Sequence, residues 1–208
     1  MILLNGLNSL ISQKPLDLFL KKSYAVNLMR EFKMTTFDFG FGPVPAHQHP
    51  NGGGWVADSA SVDESAYVGP DARVFGNAKV YGNAKVYDNA RVFGNAWVCD
   101  YAQVYGNAKV YGNAWVFSYA QVCGNALVSG NAMVFNYAQV YDNARVCDDA
   151  KVYDNARVYG DAWVCDYARV CGDAWVCDNA QVYGNAIVSG DAEVSGDVQV
   201  SGNAWVCE

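Results

Sequence analysis

Residues 80–91 read Val80-Tyr81-Gly82-Asn83-Ala84-Lys85-Val86-Tyr87-Asp88-Asn89-Ala90-Arg91, one six-residue unit written twice. From this pair the register runs in both directions without insertion. Val stands at every sixth position from Val56 to Val206, and Ala at every sixth from Ala60 to Ala204, save where Val198 replaces it. Self-similarity at so short and constant a period predicts a solenoid, in which each unit packs only on its neighbours. A helix is excluded, because six is not a helical period and Val, Gly and Asn are poor helix formers.

The unit has a direct physical reading. In Ala84-Lys85-Val86 the side chains of an extended chain alternate, so Ala and Val share the inner face and the residue between them points out. The two residues after the aromatic slot are Gly-Asn, Asp-Asn, Gly-Asp or Asp-Tyr, types that tolerate left-handed backbone angles and turn the chain. Each unit is therefore a short strand and a corner. The charges agree: Arg73, Lys79, Lys85, Arg91, Lys109, Arg145, Lys151, Arg157 and Arg169 all occupy the outward position, and no Asp or Glu occupies a Val or Ala position of the lattice. A longer period sets the shape of a coil. Tyr101-Ala102-Gln103, Tyr119-Ala120-Gln121 and Tyr137-Ala138-Gln139 recur every 18 residues, which is three units. The expected fold is all-β, a triangular solenoid of 18 residues per coil and about eight coils, roughly 40 Å long at a strand spacing of ~4.8 Å. Residues 18 apart stack, so Asn77, Asn95, Asn113 and Asn131 form one expected amide ladder, and Asn89, Asn107, Asn125 and Asn143 another.

From Val56 to Glu208 these residues resemble the hexapeptide-repeat proteins, whose pattern sets an aliphatic residue four positions before a small one, as Val80 before Ala84. The resemblance implies a single-stranded left-handed parallel β-helix; chain physics alone favours right-handed crossovers. Gly53-Gly54-Trp55 and the unbroken Gly-Asn-Ala units resemble the YdcK-type branch of bacterial and phage repeat proteins. Polymer-forming cytoskeletal proteins are a looser likeness.

Composition narrows the function. The chain is 208 residues long, 52% apolar and only 17% charged, and no apolar run is long enough for a membrane-spanning helix. Its net charge of −7 argues against a nucleic-acid binder. Residues 1–33 carry more bases than acids and residues 57–208 the reverse. Met1–Leu20 lacks the pattern of an export signal, and the seven Cys are an odd number, so a cytoplasmic, reducing location is expected. Residues 16–33 suit an amphipathic helix, with disordered extension as the alternative for 1–33. Residues 34–55 suit an irregular cap over the first coil, which a solenoid end requires. The final Trp205-Val206-Cys207-Glu208 is still in register, an expected bare edge for end-to-end association.

Candidate chemistry is sparse. His47 and His49 are the only histidines and both precede the coils. The hexapeptide-repeat likeness includes trimeric acyltransferases that bind acyl-CoA between subunits and use a His as general base, which makes His47 or His49 the candidate base. No loop leaves the coils to carry such a residue. Two His are too few for a closed metal site, so no metal ligand set is read. Every Cys follows a lattice Val and reads as a small structural side chain. Cys147 and Cys165 stack in adjacent coils, where a disulfide needs the strands drawn together. Corner acids such as Asp148, Asp149 and Asp166 read as solvated.

The aromatics say more. Trp97, Trp115 and Met133 stack on one face, and Tyr101, Tyr119 and Tyr137 along one corner; an exposed apolar stripe marks an interface. The main expectation is a non-catalytic structural or interaction scaffold with no cofactor, which self-associates through its aromatic faces or its C-terminal coil. A homo-oligomer follows, either a trimer or an end-to-end polymer. The alternatives are a CoA-dependent acyltransferase and a phage or host binding module that takes a protein or carbohydrate partner.

Overall fold

A computed structural model describes residues 35–208. Residues 36–208 form one compact unit, and the expected helix at 16–33 lies outside the described residues. The unit is a parallel β-solenoid of about eight coils with 18 residues each. Its three sheets hold 11, 9 and 8 strands, and no helix occurs among the described residues. One face runs from Trp55–Ala57 to Gln199–Val200, the second from Ser61–Val62 to Trp205–Cys207, and the third from Tyr67–Val68 to Glu193–Val194.

Most strands are two residues long, an outward residue and its Val, so they cannot stand alone. Three backbone N–H groups per unit tie each coil to the next. Lys79 N donates to Ala96 O at 2.8 Å, Tyr81 N to Val98 O at 2.9 Å, and Asn83 N to Asp100 O at 2.7 Å. Within the corner, Ala90 N closes a tight turn on Tyr87 O at 3.3 Å. The interior is filled by Val and Ala alone, and from Ala66 to Val188 every lattice Val and Ala is fully buried.

Each corner from Gly76 to Gly202 turns on a residue with positive φ, in the second position after the lattice Val. Gly fills many of these; the others are Asp88, Asp100, Ser118, Asn136, Asp142, Asp148, Asp154, Asp166 and Asp178, with φ of 54 to 62°. Asp and Asn are the non-glycine types that adopt this region at least cost. The seven aspartates have a further role that sequence reading assigned to solvent. Each Oδ2 accepts the backbone N–H of the corner residue one coil on, as Gly184 N to Asp166 at 2.9 Å and Gly196 N to Asp178 at 3.1 Å. The side chain thus serves a corner amide that the strand ladders leave unpaired.

The amide ladders form as read, with one shift. Asn77, Asn95, Asn113 and Asn131 each donate from Nδ2 to the next Oδ1 at 3.0–3.2 Å, and the run ends on Asp149. The second begins at Asn107 rather than Asn89, passes through Asn125 and Asn143, and ends on Asp161. An acceptor-only carboxylate suits the terminus of a ladder whose amides all donate in one direction.

The cap is more regular than the sequence suggested. Strand β1 (Thr36–Asp38) pairs antiparallel with β2 (Pro43–Gln48), and β2 pairs antiparallel with β3 (Trp55–Ala57), covering the edge of the first face. Aromatic burial drives this order. Phe39 is buried against Phe75 at 4.9 Å between centroids, and Phe37 stacks on Trp55 at 4.5 Å. Asp38 Oδ1 accepts the Gly40 and Gly42 N–H groups, which hold its carboxyl below the usual range. The following loop serves the edge of the third face: Val68 N donates to Asn51 O, and Gly54 N to Val68 O. A Cβ on Gly54 would strike the Gly69 carbonyl, and Gly53 turns at a φ of 78°, so each glycine of the pair before Trp55 has its own reason.

The narrow interior makes a sharp prediction. Ala114→Leu should cost about 1–3 kcal/mol by overpacking, whereas Lys109→Leu, on the outer face beside Leu127, should stay within about 0.5 kcal/mol. Urea denaturation of both variants reads the difference.

Candidate interaction surface

A lattice repeating every 18 residues turns sequence columns into surface columns. On the second face the outward column carries Trp97, Trp115 and Met133 in adjacent coils, in direct register. Trp97 and Trp115 stack at 4.6 Å with planes 3° apart. Across the corner that follows, Tyr101, Tyr119 and Tyr137 stack at 5.1 and 5.2 Å, and all three are exposed. The structure therefore forms both stacks foreseen from sequence. They are two columns, and Phe117 and Phe135, stacked at 4.9 Å, stand between them.

Phe117 and Phe135 are not among the interface residues read from the sequence. The slot they occupy, after the lattice Val, is half-buried. Its rings lie flat on one another along the axis, as Tyr87 on Tyr105 at 4.9 Å and 2°, so each covers its neighbour. The signal that could have found these two was positional. Only at Trp115–Phe117–Tyr119 and Met133–Phe135–Tyr137 do aromatics or Met fill the outward, after-Val and corner columns together; in the coil before, Cys99 takes the after-Val place.

The patch has a defined border. Lys79 and Lys151 occupy the outward column one coil before Trp97 and one coil after Met133, and the Asn95–Asn113–Asn131 ladder lines one side. Cations also lie over two tryptophans outside the patch, which stay about as exposed as Trp115. Arg145 sits 5.0 Å over Trp163, and Arg157 sits 5.3 Å over Trp175. Lys79 stacks on Trp97 at 4.3 Å, but Trp115 has only Trp97 and Met133 beside it in its column and is 39% exposed. An apolar patch with a polar rim is the anatomy of a recognition surface.

The histidines part company. His47, on β2, places Nδ1 2.8 Å from Asp58 Oδ1, with both side chains about half exposed. His49 is buried at 3% exposure, where its Nδ1 accepts the Asn51 N–H at 3.3 Å and so holds the cap loop. Neither lines a groove of about 470 Å³ on the third face, whose lining includes Asn51, Tyr67, Lys85, Tyr87 and Gln103. That groove carries no carboxylate, thiol or imidazole among its lining residues.

Together the coil, the all-Val/Ala interior and the positive-φ corners define a parallel β-solenoid repeat protein. The comparison with family models agrees. Residues 84–100, 102–117, 120–134, 138–150, 150–166 and 180–196 match the YdcK β-solenoid repeat, and the chain belongs to that repeat family. No curated protein matches it.

Half-burial of the after-Val slot also shifts its titrating groups. Burial, then the Asp100 charge, pushes the Cys99 thiol up to about 11. The Tyr153 phenol is pushed up to about 12, first by its hydrogen bond with Cys171 and then by burial. Burial likewise raises Tyr87 and Tyr141. Each neutral form is favoured in the folded state, so its contribution is fully present below the unfolded value and is lost as pH rises through the folded one. The melting temperature should be insensitive to these groups up to about pH 9, the ordinary thiol value, and fall steadily above it. A pH series of thermal melts followed by circular dichroism checks this.

Proposed function

We propose that the chain is a non-catalytic interaction scaffold that associates with further copies of itself through the three-coil aromatic patch. The observation that carries this reading is the run Trp97–Trp115–Met133, exposed at Trp115 and half-buried at either end, flanked by Phe117 and Phe135 and by the exposed Tyr101–Tyr119–Tyr137 stack. The patch is built on strands held by ladders on both sides, so little conformational entropy is lost when it docks. Trp and Tyr are the residue types that concentrate binding energy at the centre of interfaces. Its rows repeat at the strand spacing, so a second copy of the same patch offers matching rows, as a self-complementary interface needs.

Size exclusion with light scattering on the full chain tests the proposal. The wild type should run as a homo-oligomer. The double variant Trp97→Lys, Trp115→Lys should associate at least ~30-fold more weakly, since even one central aromatic is worth about 2 kcal/mol or more. An assembly state identical in both proteins would remove this surface from the interface.

A second reading, acyl transfer from acyl-CoA, rests on the His47–Asp58 pair, because a carboxylate beside an imidazole is the arrangement that orients a general base. It requires turnover of acetyl-CoA that is lost in His47→Asn and kept in His49→Asn. No turnover and no thermal shift with acetyl-CoA would end it.

A further inference from the structure

In the after-Val column of the first face, Phe75, Phe93, Tyr111 and Ser129 are followed by Cys147 and Cys165, then by Tyr183. These are the only two cysteines of the chain that occupy adjacent coils of one column. The corner column beside them is Gly at Gly76, Gly94, Gly112 and Gly130, then Asp148 and Asp166, then Gly184 and Gly202. The two anomalies coincide: Cys147-Asp148 lies directly against Cys165-Asp166. Val146 pairs with Val164, and Cys147 N donates to Val164 O at 3.0 Å, so the backbone holds the two dipeptides at strand spacing.

The side chains converge. The two Sγ atoms and a carboxylate oxygen of Asp148 all lie within 4.8 Å of one another. Both thiols are half-buried, and Asp148 faces solvent. Asp148 Oδ2 stands 3.5 Å from the Asp166 N–H, the longest of the seven corner contacts of this kind, so this carboxylate is the least committed to its backbone partner. Asp166 is more firmly engaged, accepting from Gly184 N at 2.9 Å. Rings hold this column at Phe75, Phe93, Tyr111 and Tyr183, whereas Cys147 and Cys165 are two small side chains in succession.

We propose that Cys147, Cys165 and Asp148 chelate a thiophilic divalent cation of the zinc and cadmium class. Two sulfurs and one carboxylate oxygen suit a tetrahedral, borderline-soft ion and not calcium or magnesium, which take oxygen ligands. A Zn–S bond of ~2.3 Å in tetrahedral geometry sets two sulfurs ~3.8 Å apart, a separation that side-chain rotation reaches from strand spacing. Water completes the fourth position on the solvent side. Binding releases two thiol protons to solvent, leaving two thiolates and one carboxylate around the dication. The ion would clip two successive coils together at one corner.

The test is a cadmium titration of the full chain under a phosphine reductant, read by the ultraviolet sulfur-to-cadmium charge-transfer band, with zinc as competitor. Wild type should bind one Cd²⁺ per chain at this site. Cys147→Ser and Cys165→Ser should each weaken binding more than ~100-fold, and Asp148→Asn about 10-fold or more, the range that loss of an ion's supporting partners already costs. Serine stands in the same column at Ser129 and Ser201, so these variants keep the fold, and circular dichroism confirms it. A chain whose other five cysteines are replaced by Ser should retain the single site. Unchanged cadmium binding in Cys147→Ser and Cys165→Ser, or no binding by wild type, overturns the proposal.

Discussion

Each corner turns because one residue accepts a positive φ, and its carbonyl is thereby aimed at the corner amide of the coil before. Asn83 N to Asp100 O and Asn113 N to Gly130 O, both at 2.7 Å, are instances of one bond repeated along the molecule. The rest of the structure depends on this constraint. An inserted residue would move every later Val and Ala off the interior and every later corner off its hydrogen bond. Strands of two residues could not survive that loss, because they have no independent stability. This accounts for a register that runs from Val56 to Val206 without a slip.

Exact stacking has a second consequence. A residue's neighbours are set by its position modulo 18, so like side chains meet like. Amides run as a one-way ladder from Asn77 to Asn131 and stop at Asp149, and rings pile flat from Phe117 through Phe135 to Tyr153. Lys and Arg are not paired with acids among the described residues. Among the described residues the side-chain contact at ion-pair distance is His47 with Asp58, whereas Lys79, Arg145 and Arg157 lie over the indole of the next coil. The outer surface is then a grid on which three coils of aromatic residues, or two coils of Cys-Asp, make a local site without any loop leaving the coil.

The fold was legible because its signal is redundant. Val80, Ala84 and Gly82 each recur so often that period, inner face and corner are read independently and agree. The aromatic patch was half legible. Trp97, Trp115 and Met133 could be seen to stack, as could Tyr101, Tyr119 and Tyr137, since both runs share the period of 18. Phe117 and Phe135 share the same period and so could have been added by position; that their rings lie flat and half-buried between the two columns could not be seen, because alternation alone does not say how a ring lies against its neighbour. The cap was the least legible part. Residues 36–48 have no period, and their two antiparallel strands form because Phe37 and Phe39 find Trp55 and Phe75, residues far along the chain.

The sequence by itself determined the coil: a six-residue unit, three units to a turn, an interior of Val and Ala, and an outer position for every lattice Lys and Arg. It did so because those features follow from side-chain alternation and backbone permissiveness, which are local. Only the tertiary structure decided what the corner aspartates do, which histidine is buried, and that two thiols and a carboxylate share one corner. Those outcomes depend on groups from neighbouring coils or from the cap meeting in space, at distances set by the stacking of one coil on the next.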